Sequence, residues 1–296
     1  NPENNTFHLA LEVTCQNGGD EFRPDIVIFI NGLPLSYIEV KQPNAIRDGK
    51  TAIQSEQSRT AVRFQNRRFR RFNNITQLLS FSDNLPYISG QGQQKQGSFY
   101  CSNAFSKTKF NAFKEEREEE LIYSIRSLGE EEIDAVLKDV NRFALKSQPE
   151  FKTNQDPSTP CNTFISSLYQ KERLLFLLRY GLAYVEECSK DGTIQLQKHV
   201  MRYPQFFATK AIEDAIGKGV KKGVIWHTQG SGKTALSYFN IRYLTNYFSK
   251  QEIVPQFYFV VDRLDLADQA TREFTKRGLK VKRINRPQEL NEKHDA

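Results

Sequence analysis

"RPDIVIFINGLPLSYIEVKQ", residues 23–42, holds two β-rich apolar runs, 26–30 and 35–41, on either side of an Asn-Gly pair. Asn-Gly between apolar runs is a strong short-range signal for an antiparallel hairpin. Three charges stand where a packed sheet would normally carry none: Asp25 beside the first run, and Glu39 and Lys41 in the second. Side chains alternate faces along a strand, so Glu39 and Lys41 point the same way. The side taken by Asp25 depends on the turn. A three-residue turn over Asn31–Leu33 sets Asp25 opposite Glu39 on one face, whereas a two- or four-residue loop sends it to the other unless a bulge intervenes. Pro24 makes an irregularity beside Asp25 plausible.

If the two acids do share a face, their β-carbons stand about 5 Å apart, and two carboxylates there repel by roughly 3 kcal/mol at an effective dielectric of 20. Mg²⁺ takes carboxylate oxygens and offsets that repulsion. Lys41 adds a positive charge able to help deprotonate a water or to meet charge developing on a phosphate. This is a minimal apparatus for hydrolysing a phosphodiester. The competing reading is an edge hairpin whose charges reach solvent.

Upstream, residues 7–15 read as a further strand of a small meander, punctuated by "QNGGDE". Residues 48–81 turn helical and end on Leu78, Leu79 and Phe81, a return to a buried strand. A polar loop spans 89–98, and the charged stretches 110–125 and 129–143 suit surface helices. "KSQPEFKTNQDPSTPCN" (146–162) has three prolines and few large apolar residues. The boundary falls there, dividing the chain into 1–155 and 156–296. The second part opens with a helix over 164–187 and continues through a helix near 202–219. It then alternates: strand 223–228, loop, helix, strand 256–261, and a helix from about Leu264. That order predicts a parallel sheet covered by helices.

A chain of 296 residues suits two domains. Lys and Arg exceed Asp and Glu, 42 against 35, which favours a polyanionic partner or is an ordinary solvated basic surface. No apolar run approaches the roughly 20 residues a bilayer requires, and no secretory signal opens the chain. A soluble, cytoplasmic protein is expected, with no membrane partner. Cys15, Cys101, Cys161 and Cys188 are scattered, with neither zinc spacing nor a disulfide frame. The start without Met reads as a piece of something longer.

Between 59 and 72, "RTAVRFQNRRFRRF" has six Arg and no acid. Arg63, Arg67, Arg70 and Arg71 fall on one side at helical spacing, suiting a row of contacts to a DNA backbone without base reading. The interleaved Phe64, Phe69 and Phe72 suit a core better than base stacking.

"GVIWHTQGSGKTALSYF" (223–239) is the firmest local signal. Gln229, Gly230, Ser231 and Gly232 form a tight loop whose N–H groups can surround phosphate oxygens, and Thr234 opens a helix whose N-terminus favours anions. Lys233 would reach the β- and γ-phosphates of ATP and the Thr234 hydroxyl would ligate Mg²⁺. The position of the first glycine in the stricter motif is His227.

These residues carry a family resemblance. Pro24-Asp25 followed by Glu39-Val40-Lys41 resembles the PD-(D/E)xK nuclease superfamily, and residues 23–43 look most like the R subunit of type I restriction-modification enzymes. The resemblance implies Asp25 and Glu39 as metal ligands, Val40 as a backbone-carbonyl ligand and Lys41 as the catalytic lysine. Relatives often add Gln-x-x-x-Tyr on the next helix, and this chain has Gln65 and Phe69 at that spacing. The phosphate loop resembles that of superfamily 2 helicases. "RYPQFFATKAI" resembles their upstream element, which implies Gln205 as the reader of adenine with Tyr203 stacking. "FVVDRLDLADQ" resembles their motif Ia, implying DNA contact at Arg263.

The implied fold is a PD-(D/E)xK endonuclease-like α/β domain followed by the first part of a RecA-like parallel-sheet lobe. The implied activity is Mg²⁺-dependent cleavage of double-stranded DNA coupled to ATP-driven translocation, with modification and specificity subunits as partners. Two rivals remain: a free-standing helicase–nuclease of DNA repair or phage defence, and a non-catalytic DNA- and ATP-binding module. The Asp-Glu run and arginine fingers of a complete motor do not appear before Ala296.

Overall fold

The computed structural model describes residues 2–88, 96–104, 108–122, 128–188, 192–228, 230–284 and 289. Its centre is a six-stranded sheet in which spatial order follows chain order: β1 (Phe7–Leu11), β2 (Ile26–Ile30), β3 (Leu33–Val40), β4 (Leu78–Ser82), β5 (Ser98–Cys101) and β6 (Asn111–Ala112). Every neighbouring pair is antiparallel except β3 and β4, which run parallel. A parallel pair requires a crossover, and α1 (Ala52–Gln65) with the short α2 (Arg70–Ile75) supplies it. The strand expected over 7–15 divides: β1 ends at Leu11, and Cys15–Asn17 pairs separately with Asp20–Phe22.

Alternation sorts the two faces. Val27, Tyr37, Leu79, Phe81, Phe99 and Cys101 pack with Ile53 and Phe64 of α1. Ile28, Ile30, Ile38, Leu78 and Tyr100 face the other way, onto α3 (Pro160–Leu168) and α4 (Lys171–Tyr180). Tyr169, between those helices, donates its hydroxyl to Ser80 Oγ at 2.7 Å, and its oxygen lies 3.0 Å from Ser36 Oγ, closing the polar gap in that face. The apolar cluster then continues into α5 (Tyr203–Gly217), α6 (Lys233–Ser249) and α7 (Leu264–Thr275) through Phe206, Phe207, Tyr238, Phe239 and Phe274. The core therefore runs across residue 155.

Two expectations for the second part are corrected. The single helix over 164–187 is instead α3, α4 and a strand, β7 (Leu182–Cys188), paired antiparallel with β8 (Ile194–Val200). The apolar stripe of α4 ends where the Gly181 N–H closes on Leu177 O, and Leu182, Ala183 and Val185 are buried as strand residues. The parallel sheet is also absent among the described residues: 223–228 and 256–261 are extended but belong to no ladder. A buried strand exists only where neighbours satisfy its N–H and C=O groups, and no described strand pairs with these two. Val224, Trp226 and Val260 are accordingly 91%, 91% and 89% exposed. The helix expected over 110–125 starts only at Glu118, and most of the 89–98 loop lies outside the described residues.

Candidate functional site

The β2–β3 hairpin turns on two residues, with Ile30 paired to Leu33. Asn31 and Gly32 have φ of 51° and 80°, the left-handed pair that a two-residue hairpin of matching twist requires. By alternation alone this turn would put Asp25 and Glu39 on opposite faces. The register shifts, however, between Ile28↔Ser36 and Phe29↔Pro34, leaving Leu35 as an extra residue in β3. A bulge moves the remaining pairs by one and reverses the facing of all that follows. Ile26 pairs with Ile38, so the next position brings Asp25 against Glu39.

Asp25 Oδ2 accepts the Val40 backbone N–H at 2.7 Å and lies 3.9 Å from Lys41 Nζ. Lys41 Nζ donates to Glu39 Oε2 at 2.7 Å. Both carboxylates thus sit around one ammonium at the sheet end facing α1. Glu39 is buried, and its Oε1 has no hydrogen-bond donor. Burial, reinforced by the Glu56 carboxylate, raises Glu39 above the ordinary carboxylate range against the pull of Lys41. Among the described residues no three His, Cys, Asp or Glu side chains form a ready-made metal cage. Two hard carboxylate groups, one with a buried oxygen lacking a donor, nevertheless fit a cation such as Mg²⁺, which keeps part of its hydration. The contact Val40 makes at this site is through its N–H.

The second group of residues lies at the start of α6. Gly232 has φ 85° and is the residue before the helix. Lys233 Nζ donates to His227 O at 3.0 Å and Thr228 O at 3.2 Å, folding back over the loop, and Thr234 sits in the first turn. The Ser231 hydroxyl is buried without a partner. Gly230 O accepts from Arg202 Nη1 at 3.1 Å. Gln205 is buried rather than held toward an open base site: Nε2 donates to Gly232 O at 2.9 Å, and Oε1 accepts the Arg202 N–H. Tyr203 packs edge-on to Phe113, 6.4 Å between ring centres. Gln229 lies outside the described residues. Arg263 makes a two-pronged ion pair with Asp265, at 3.0 and 2.6 Å, at the exposed start of α7.

Comparison with known proteins bears on both regions. Residues 1–119 match the family model "Type I restriction enzyme R protein N terminus", and residues 204–295 match "SWI2/SNF2 ATPase". A relative from Methanocaldococcus jannaschii, named as the endonuclease subunit of the type I restriction enzyme MjaVIIP, is 31% identical over 281 residues, 93% of this chain and 21% of its own. The chain thus carries a type I restriction enzyme R protein N-terminal domain over residues 1–119 and part of a SWI2/SNF2 ATPase domain over 204–295. The MjaIXP endonuclease subunit of the same organism is 23% identical over 99% of this chain. The HindI endonuclease subunit of Haemophilus influenzae is 24% identical over 92%. The chain spans 25% and 22% of those two relatives.

The structure gathers Asp25, Glu39 and Lys41 and adds residues that the sequence reading missed. Helix α1 presents Glu56, wholly buried, with Oε2 3.3 Å from Lys41 Nζ and 2.7 Å from Arg59 Nη2. Thr60 Oγ1 donates to Glu56 Oε1 at 3.2 Å. Glu56 and Thr60 are four apart and share a helix face. They occupy the place beside the hairpin that Gln65 and Phe69 were expected to take; Gln65 is exposed and Phe69 packs on Phe22, 4.9 Å between centres. The signal lay in a charged residue at the buried phase of α1, between Ile53 and Phe64.

The arginine row is corrected likewise. Arg63 points inward, 3.7 Å from both Glu39 Oε1 and Glu56 Oε1, with its Cζ 4.4 Å from the centre of the Phe22 ring. The helix ends at Gln65, so Arg67, Arg70 and Arg71 follow a different axis and are exposed. Phe64 and Phe69 are buried in the core, as their spacing suggested.

Proposed function

We propose that residues 1–155 carry a PD-(D/E)xK nuclease site and that residues 156–296 begin an ATP-binding motor lobe. The complete protein would be the endonuclease and translocating subunit of a type I restriction enzyme, acting on double-stranded DNA with modification and specificity subunits. The observation that carries the nuclease reading is the Leu35 bulge, which overrides a two-residue turn to set Asp25 and Glu39 around Lys41. Asp25 and Glu39 would hold Mg²⁺, with the Val40 carbonyl as a further ligand. The bound ion supplies a Lewis acid for phosphodiester hydrolysis. The Val40 N–H fixes one oxygen of Asp25, and Lys41 keeps a positive charge where a phosphate gains negative charge. Exposed Arg67, Arg70 and Arg71 suit backbone phosphates, and Arg263 would have to exchange Asp265 for one.

For ATP, Gly230, Ser231 and Gly232 would supply the cradle, with Gln229 preceding them in the sequence. Lys233 would leave its two carbonyl partners for the phosphates, and Thr234 would serve the accompanying Mg²⁺. Gln205 supports this reading by holding the loop from beneath. The relatives' names and the paired family matches favour this assignment over a free-standing repair or phage-defence enzyme.

Reconstituting the full-length protein with its methyltransferase and specificity partners tests the nuclease site. Glu39→Ala and Lys41→Ala should each abolish Mg²⁺-dependent cleavage while ATP hydrolysis continues. Cleavage at the parental rate in both variants would leave the non-catalytic module as the better reading.

A further inference from the structure

Glu39 faces more cations than a metal ligand can keep. Oε2 accepts from Lys41, and Oε1 stands 3.7 Å from Arg63 Nη1. A carboxylate turning to a divalent ion must withdraw from at least one of these, and a buried cation left alone is costly. Glu56 touches the same two cations from the opposite side, 3.3 Å from Lys41 Nζ and 3.7 Å from Arg63 Nη1. It is held there by Arg59 and Thr60 and has no exposed surface of its own.

We propose that Glu56 is a positioning residue that takes over Lys41 and Arg63 when Glu39 turns to the metal. The site's affinity for a divalent cation then depends on the charge of a carboxylate that does not bind the ion. This rests on the reading of Asp25 and Glu39 as metal ligands. Three acids, Asp25, Glu39 and Glu56, here balance three bases, Lys41, Arg59 and Arg63. Once two of the acids serve a metal, Glu56 alone faces the three bases, and the positive excess lies where a DNA phosphate would arrive. Without Glu56, Glu39 would be the remaining anion for both Lys41 and Arg63, and metal binding would have to compete with them.

The test is Mn²⁺ binding to the full-length protein without nucleotide or DNA, followed by electron paramagnetic resonance, with thermal melting to confirm the fold. Glu39→Ala should remove the site. Glu56→Gln should weaken it tenfold or more, and Glu56→Gln combined with Arg63→Gln should recover most of that loss because one competing cation is gone. A packing role for Glu56 would not be rescued by removing Arg63. If Glu56→Gln does not fold, Arg63→Gln alone decides: tighter Mn²⁺ binding supports the exchange, and unchanged or weaker binding overturns it. Parental affinity in Glu56→Gln, with the site lost in Glu39→Ala, overturns the role of Glu56 and leaves the metal ligands standing. Failure of Glu39→Ala to affect Mn²⁺ would instead overturn the ligand assignment itself.

Discussion

Gly232 shows how much one missing side chain can determine. Its φ of 85° is the left-handed conformation, which costs other residues roughly 1–2 kcal/mol. A β-carbon added there would lie 2.5 Å from Gln205 Nε2. Gln205 could retreat only by giving up Gly232 O, the bond that fixes the loop before α6. Gly232→Ala is therefore expected to lower affinity for a fluorescent ATP analogue about tenfold, in line with 1–2 kcal/mol, while the far-ultraviolet circular dichroism stays unchanged. The need for glycine was legible in "GSGKT". The partner beneath it was not, because nothing in local spacing says that a side chain 27 residues earlier lies under that backbone.

At the scale of elements, α1 decides which charges meet the hairpin. Thr51 caps it: the Thr51 hydroxyl accepts the Gln54 N–H at 3.2 Å and Gln54 Oε1 accepts the Thr51 N–H at 3.0 Å. Losing such a cap costs about 1 kcal/mol. Thr51→Ala should lower the unfolding free energy by that amount, read as a lower urea midpoint at an unchanged slope, whereas Arg67→Ala, on the exposed turn after α1, should stay within about 0.5 kcal/mol. The helix itself was readable from periodicity. Its rotation about its own axis, which turns Glu56 and Arg63 inward, is set by Ile53 and Phe64 packing on the sheet. For the same reason Arg63 could not be told apart from Arg67, Arg70 and Arg71 by spacing alone.

At the scale of the molecule, one apolar core joins residues on both sides of position 155. Tyr100, in the central sheet, donates to Met201 O at 2.7 Å, Asn111 Nδ2 to Val200 O at 3.3 Å, and Lys198 Nζ to Asn74 O at 3.0 Å. Beside them His199 lies 3.1 Å from Lys109 Nζ and 3.3 Å from Glu187. Burial and the Lys109 ammonium lower His199 to about 4, against the pull of Glu187. A depressed folded value means that the unfolded chain binds the proton first. The stability held by neutral His199 is thus fully present above about pH 6.5, the unfolded value, and declines as the pH falls toward 4. The stability difference between the parent and His199→Gln, measured by urea unfolding, should be flat from pH 7 to 8 and should narrow between pH 6.5 and 4. A constant difference across that range would place His199 outside this junction's proton balance. Among the described residues no helix is long and apolar enough to cross a membrane.

Local residue order is enough to specify the Asn-Gly turn, the alternation that pairs Glu39 with Lys41, the amphipathic run of α1 and the glycine loop before α6, because each follows from torsional preference or spacing within a few residues. It could not determine the Leu35 bulge, since either register satisfies the hairpin locally and contacts distant in the chain pin both ends. Asn31 is tied to Thr6 and Asn5, and the Ser36 hydroxyl to Leu78 O. Nor could it say that residues 223–228 and 256–261 would join no ladder among the described residues, because a strand needs neighbours and an isolated run carries no record of them. Tertiary structure alone brought Asp25 across to Glu39 and set Glu56 behind Lys41, since the energy of a buried charge depends on which groups surround it and not on where they stand in the chain.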